Sequence, residues 1–284
     1  MLDFRYHALS LVAVFLALGI GIVLGSSLGD TVVSQANRDI ASSLRGDLNG
    51  ARSDARAAHA AVGARERLLE ALFPRMAGGQ LTGTNIAVVA SGKLPADVQS
   101  DVRDAVRGAS GTLAGISSIS TPPDVGALGA AVGPKFAGLR SDDKRLRPLG
   151  RRIGEALVAG GRLARRLVKQ FPDRFGGHPA QADAVVLYRD PASDRSAAVQ
   201  QVEQGLIDGL RAAGKPVVGV ETTDTDPSQI PFFSTQGVTS VDDVDSAGGR
   251  IALVLALQGA RGSFGYKKTA DSPLPQPQRA AGGP

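Results

Sequence analysis

Asn85-Ile86-Ala87-Val88-Val89-Ala90 is the stretch on which the reading of the fold turns. Gly83 precedes it and Ser91-Gly92 follows, so a short apolar run stands between turn formers, the mark of a buried strand. Residues 95–108 then place Val98, Val102, Ala105 and Val106 at helical spacing, and residues 112–119 read as a second strand. The order recurs downstream. A strand at 184–188 leads to a helix at 197–213 with Val199, Val202, Leu206 and Leu210, then to a strand at 216–220. Residues 250–257, RIALVLAL, read as a last continuous strand. Continuous apolar strands alternating with amphipathic helices are parallel strands covered on both faces. The expectation is a doubly wound, mostly parallel α/β domain over residues 82–266. Its two βαβ halves are joined by residues 142–170, with Leu146, Leu149, Ile153, Leu157, Ala164, Leu167 and Phe171 on one side.

Toward the amino terminus the pattern changes. Residues 8–25 read ALSLVAVFLALGIGIVLG without a charge. At ~1.5 Å per residue a helix over 8–29 reaches ~33 Å, enough to cross a bilayer. The run exceeds the ~7–15 apolar residues of a signal peptide, and Gly25-Ser26-Ser27 is a poor cleavage site, so residues 1–30 are read as an uncleaved N-terminal transmembrane helix. Arg5 and the amino terminus favour the cytoplasmic side. This predicts a single-pass plasma-membrane protein with its C-terminal domain extracytoplasmic. Ala17, Gly21, Gly25 and Gly29 recur every four residues, a stripe that lets two helices approach closely in lipid.

Residues 31–74 read as a coiled-coil stalk. Val33, Asn37, Ile40, Leu44, Leu48, Ala51, Ala55, Ala58, Val62, Arg65, Leu69 and Leu72 form a heptad seam with one four-residue slip between Leu44 and Leu48. No proline interrupts it before Pro74, although alanines on the seam and Gly46, Gly50 and Gly63 weaken it. Tethering beside the membrane stripe raises the effective concentration of the two seams. They predict a parallel homodimer; the alternative is a lone helix docking its alanine face on an envelope protein.

The net charge of +5 over 284 residues admits two partner classes, nucleic acid and anionic envelope polymers or lipids. The membrane segment selects the envelope and excludes nucleic acid. Charge concentrates in residues 135–174, where twelve Lys or Arg face four Asp or Glu, among them Arg151-Arg152 and Arg165-Arg166. That basic patch is either a solvated helix face or a contact for lipid headgroups or anionic wall polymer. Residues 267–284, rich in Pro, Gln and Gly, read as a disordered tail.

Little announces chemistry. The absence of cysteine removes disulfides, thiolate metal sites and cysteine nucleophiles. Ser91-Gly92-Lys93 sits where such a fold would bind phosphate, but Ala87 and Leu94 break the P-loop spacing, leaving a turn. Asp224/Asp226 and Asp242-Asp243-Val244-Asp245 could hold a hard cation; between strands, Asp also serves as turn former and N-cap. His7, His59 and His178 are scattered too widely for a triad or a closed metal site. The residues therefore name no catalytic group, no metal ligand and no cofactor.

Two stretches resemble a known family. His7-Ala8-Leu9-Ser10-Leu11-Val12-Ala13-Val14-Phe15-Leu16-Ala17-Leu18, continuing to Val23-Leu24-Gly25-Ser26, resembles the N-terminus of the actinobacterial copper transport protein B family. Ser240-Val241-Asp242-Asp243-Val244-Asp245, with Gly249-Arg250 and the apolar run to Leu257, resembles its C-terminal motif. The resemblance implies a role in copper homeostasis or efflux. Cu(I) favours thiolate and thioether and Cu(II) imidazole, whereas this chain offers no Cys, Met1 and Met76, and three scattered histidines. The expectation is a membrane-anchored, non-enzymatic interaction module or scaffold without its own copper site. A direct copper transport component and a degenerate α/β enzyme are the alternatives.

Overall fold

The computed structural model describes residues 4–171, 174–175, 181–193 and 195–276. Two compact units are present, Met1–Ala64 and Arg65–Pro284. The first is helical wherever it is described, as part of helix α1 (Phe4–Met76). Within it Tyr6–Gly25 is long and apolar enough to cross a membrane, and none of that span is buried. α1 passes through Gly46, Gly50 and Gly63 without a break and contains Pro74 in its last turn, where the lost N–H bond costs one helical hydrogen bond only.

The second unit holds a seven-stranded sheet. β1 (Asn85–Ser91), β2 (Thr112–Ile119), β3 (Arg174–Phe175), β4 (Ala184–Arg189), β5 (Val217–Val220), β6 (Thr239–Val241) and β7 (Ser263–Phe264) take the order β3-β2-β1-β4-β5-β6-β7. Every pair is parallel except β2 with β3. Helices α2 (Ala96–Gly108) and α8 (Ala247–Leu257), with the last turns of α1, cover one face. The other carries α3 (Val125–Val132), α4 (Leu146–Ala159), α5 (Gly161–Val168), α6 (Ala197–Ala212) and α7 (Ile230–Thr235). Strand residues alternate between the two cores: Ala184, Val186 and Tyr188 point one way, Val185 and Leu187 the other. That two-sided burial is why the strands read as unbroken apolar runs, and it confirms the doubly wound α/β expectation. The stripe expected on residues 142–170 is fully buried, and the segment is α4 and α5.

α4 and α6 touch through their backbones. A Cβ on Gly150 would overlap the Val202 carbonyl oxygen, and one on Gly205 the Arg147 carbonyl oxygen; Gly154 and Gly209 repeat the contact a turn later. Only glycine allows this approach.

Three expectations need correction. Residues 250–257 are not a strand but most of helix α8, and the sheet instead ends in β6 and β7. A helix buried on all sides shows no polar stripe, so its periodicity cannot be told from that of a buried strand. What decides it is the N-cap: the Ser246 side chain accepts from the Gly249 N–H at 2.8 Å. Next, the compact unit begins at Arg65, so the last turns of the expected stalk belong to it. Phe73, Ala77 and Leu81 join its core, and Arg250 pairs with Glu70 at 3.6 Å. Finally, residues 267–276 of the expected disordered tail are folded. Asp271 accepts from Ser263 N–H at 3.0 Å, Phe264 bridges Ser272, and Leu274 packs on the core. Residues 277–284 lie outside the described residues.

Candidate functional site

Parallel strands deliver their last residues to one edge of the sheet, the place where doubly wound folds bind ligands. Here that edge carries a row of buried polar groups: Ser91 from β1, Arg189 from β4, Glu221 just past β5, and Asp242-Asp243 just past β6. Ser91 Oγ donates to Glu203 Oε1 of α6 at 2.7 Å. Arg189 forms a fork with Glu203 at 3.0 and 3.1 Å, donates to Gln229 Oε1 at 2.6 Å, and lies 3.9 Å over the Phe232 ring. Glu221, fully buried, accepts from Ser228 Oγ at 2.8 Å, from the Gln229 N–H, and from Lys267 Nζ at 2.8 Å. The same ammonium donates to the carbonyls of Thr222 and Thr225 at 2.9 and 2.8 Å. Lys267 thereby places a cation inside a cage of oxygens.

Apart from Asp243, the row is satisfied from within. At the paired ends of β1 and β4, the cavity beside Ser91, Arg189, Glu203 and Phe232 measures about 10 Å³, too little for a substrate. The Ser91-Gly92-Lys93 turn confirms its reading as a turn. Gly92 has φ +91°, and the Lys93 N–H donates to Asp190 Oδ2 at 3.2 Å, so a carboxylate of the chain itself sits at that amide.

The motif Ser240 to Gly249 packs inward. Asp242 accepts from the Tyr266 and Lys267 N–H groups at 2.9 Å each; burial pushes its pKa up against those bonds. Asp245 accepts from Thr223 N–H at 2.8 Å, and Ser240 bonds Ser263 Oγ at 3.2 Å. Val241 lies in the core, and a Cβ on Gly249 would overlap the Asp243 carbonyl oxygen. Asp243 is the exception. Ser246 Oγ donates to its Oδ2 at 2.7 Å, but Oδ1 is buried with no hydrogen-bond partner. Desolvation pushes its pKa up to about 7, opposed by the Ser246 bond and assisted by Asp242, Asp245 and Glu66. Glu66, on the last turns of α1, accepts from the Ala247 N–H at the start of α8.

The remaining predicted residues divide sharply. On α4, Arg151 and Arg152 pair with Glu155 at 3.1 and 3.2 Å, and Arg147 pairs with Asp208 at 2.8 Å. On α5, Arg165 and Arg166 are exposed. Ile40, Leu44, Leu48 and Val62 of the stalk seam stand 58, 62, 50 and 61% exposed, and Ala55 is exposed too. Leu69 is half-buried, beside Gly248 of α8. In the membrane stripe Ala17 is exposed and nothing lies within 4 Å of a Cβ built on Gly21 or Gly25; Gly29 is helical. His7 and His59 sit on α1, and His178 lies outside the described residues. Among the described residues, no three His, Cys, Asp or Glu gather as a metal site.

A larger groove, about 530 Å³, opens at the amino ends of β5 to β7 and is lined by Arg211, Lys215 and Arg261. Two of these cations are engaged: Arg211 donates to the Gln236 carbonyl at the end of α7 at 2.8 Å, and Lys215 pairs with Asp183 at 3.5 Å. Helices α6, α7 and α8 all end nearby, so the positive charge offsets carbonyl ends.

Sequence reasoning missed Arg189, Glu203, Glu221 and Lys267. One signal was available: Glu203 stands i+4 from Val199 on an otherwise apolar face of α6, and a lone acid in such a stripe implies a buried partner.

A search of curated proteins finds no match. The family model described as copper transport outer membrane protein, MctB, matches residues 1–122 and 168–275. The matched segments contain α1, the β1 to β2 unit, and everything from β4 through the buried carboxylate motif to the folded strap after β7. By that agreement over most of its length, the chain belongs to the MctB family of copper transport proteins.

Proposed function

We propose that the chain is a single-pass, non-enzymatic interaction module of the cell envelope that serves copper homeostasis through association rather than through a copper site of its own. In this reading α1 crosses the plasma membrane and the α/β unit lies outside the cytoplasm. The family description speaks of an outer membrane. The apolar helix and Arg5 near its start favour a plasma-membrane anchor instead.

The bare seam carries the proposal. Ile40, Leu44, Leu48 and Val62 are large, apolar and at least half exposed on a helix. Fully burying each such side chain is worth about 1.5–3 kcal/mol. A second copy, aligned in parallel by the same membrane stripe, is the partner that covers all four at once. The closed edge of the sheet supports a non-enzymatic role, because Ser91, Arg189, Glu203, Glu221 and Lys267 satisfy one another or their neighbours. The donor set supports an indirect role in copper handling: no Cys, two Met and three dispersed His.

Because the chain has no native cysteine, single Cys substitutions report cleanly. Oxidising membranes that contain Leu44→Cys or Val62→Cys should give disulfide-linked dimers, while Gly46→Cys, off the seam, should not. Equal yields at all three positions would sink the parallel dimer. A second reading, a component that itself carries copper, is favoured by the family description. It requires the purified chain to bind copper.

A further inference from the structure

We infer that the outer face of α5 is a docking stripe for a linear, phosphate-bearing polyanion of the envelope. This deepens the proposed envelope role and rests on it, since the role decides which polyanions the chain meets. Arg162, Arg165, Arg166 and Lys169 follow an i, i+3, i+4, i+7 pattern, so all four project from one side of about two helical turns. Each is exposed, and among the described residues none of the four side chains forms an ion pair or hydrogen bond. The opposite side of the helix is spent on the core: Ala164 and Leu167 are fully buried, and Leu163 and Val168 half-buried.

Among the described residues, neighbouring elements leave this charge uncompensated. α3, packed against α5, has no charged residue. α4, its other neighbour, contributes Glu155, which Arg151 and Arg152 already occupy. The sequence holds no acid between Glu155 and Asp173. Like charges at these spacings repel, so the stripe works against its own helix until a counter-anion arrives. Arg162, Arg165 and Arg166 lie outside the segments matched by the family model, so membership does not assign them a role.

The form of the stripe selects the partner. A helix that docks on lipid headgroups sinks apolar side chains beside its cations, whereas among the described residues of this unit the large exposed apolar side chains are Leu68 and Tyr266, neither on α5. What α5 offers is a line of charge ~10 Å long with ~5–6 Å between neighbours. Three of its four cations are guanidinium forks, which grip phosphate oxygens two at a time. A flexible chain of phosphates fits such a line; a flat membrane adds nothing that the line can use.

The test uses the full chain in detergent micelles, fluorescently labelled inorganic polyphosphate as the probe, and anisotropy at low and moderate salt. Wild type should bind with an affinity that falls steeply as salt rises. Replacing all four cations by Gln should weaken binding at least tenfold, and a variant with Lys at all four, which keeps the charge but not the forks, should bind more weakly than wild type and more tightly than the four-Gln variant. Arg151→Gln with Arg152→Gln, whose charges are already paired, should change it less than twofold. Unchanged affinity in the four-Gln variant would overturn the assignment. So would binding to phosphatidylglycerol vesicles with none to polyphosphate. Failure of the envelope module is read separately from the Cys crosslinks, which do not depend on α5.

Discussion

Asp243 loses its water when the second unit folds and gains one hydrogen bond in return, from Ser246. Its pKa rises from 3.8 to about 7. Between about pH 4 and 7 the folded chain therefore holds a proton that the unfolded chain has released. Stability is greatest below the unfolded value, declines as pH rises, and levels off above the folded value, a fall of roughly 4 kcal/mol at ~1.4 kcal/mol per unit. Asp243→Asn should abolish this dependence. Calorimetry of the full chain in detergent should find both proteins melting together near pH 4 and the variant melting several degrees higher at pH 8. A constant difference across that range would refute a proton held at Asp243. A structural role for Asp between strands is the sequence reading, and Asp242 and Asp245 do accept from backbone N–H groups of neighbouring loops. The Ser246 cap was not legible, because the helix that it starts reads as a strand. Nor were the pairs that fill the sheet edge. Lys267 and Glu221 stand 46 residues apart, and Arg189 and Gln229 stand 40 apart. Only the strand order brings them together.

Elements were legible where one face was polar and obscure where none was. α2, α4 and α6 announced themselves through stripes that are indeed buried. α8 has no such contrast, and its Ile, Val and Leu content suits a strand as well as a helix. β6 and β7, three and two residues long, are too short for any pattern. Glycine made the opposite demand on reading, since its meaning depends on neighbours that the sequence does not name. Gly46 and Gly205 both lie inside helices, yet a Cβ meets nothing at the first and backbone atoms at the second. Gly205→Ala should force α4 and α6 apart and lower stability by about 1–3 kcal/mol. Gly46→Ala should strengthen its helix by about 0.5–1 kcal/mol. Thermal melting of the unit reads the former, and hydrogen exchange of residues 42–50 reads the latter. Equal effects of one sign would contradict the close crossing.

At the scale of the whole molecule, alternation of apolar runs and amphipathic helices gave the fold class because two-sided burial leaves that signature along the chain. The packed α/β unit begins at Arg65 and takes in the last turns of α1. Function was less legible. The sheet edge that would house a ligand is closed by Arg189, Glu203 and Lys267, while the surfaces left open are the seam on α1 and the cations on α5. On the proposed reading, a chain built this way acts by what it touches. The central claim, association without a copper site, is tested most directly by calorimetric titration of the full chain in detergent with Cu(I) and with Cu(II). The account predicts no saturable heat with either ion. Tight one-to-one binding would contradict it, returning the chain to direct transport and making His59 and His178 the first residues to replace.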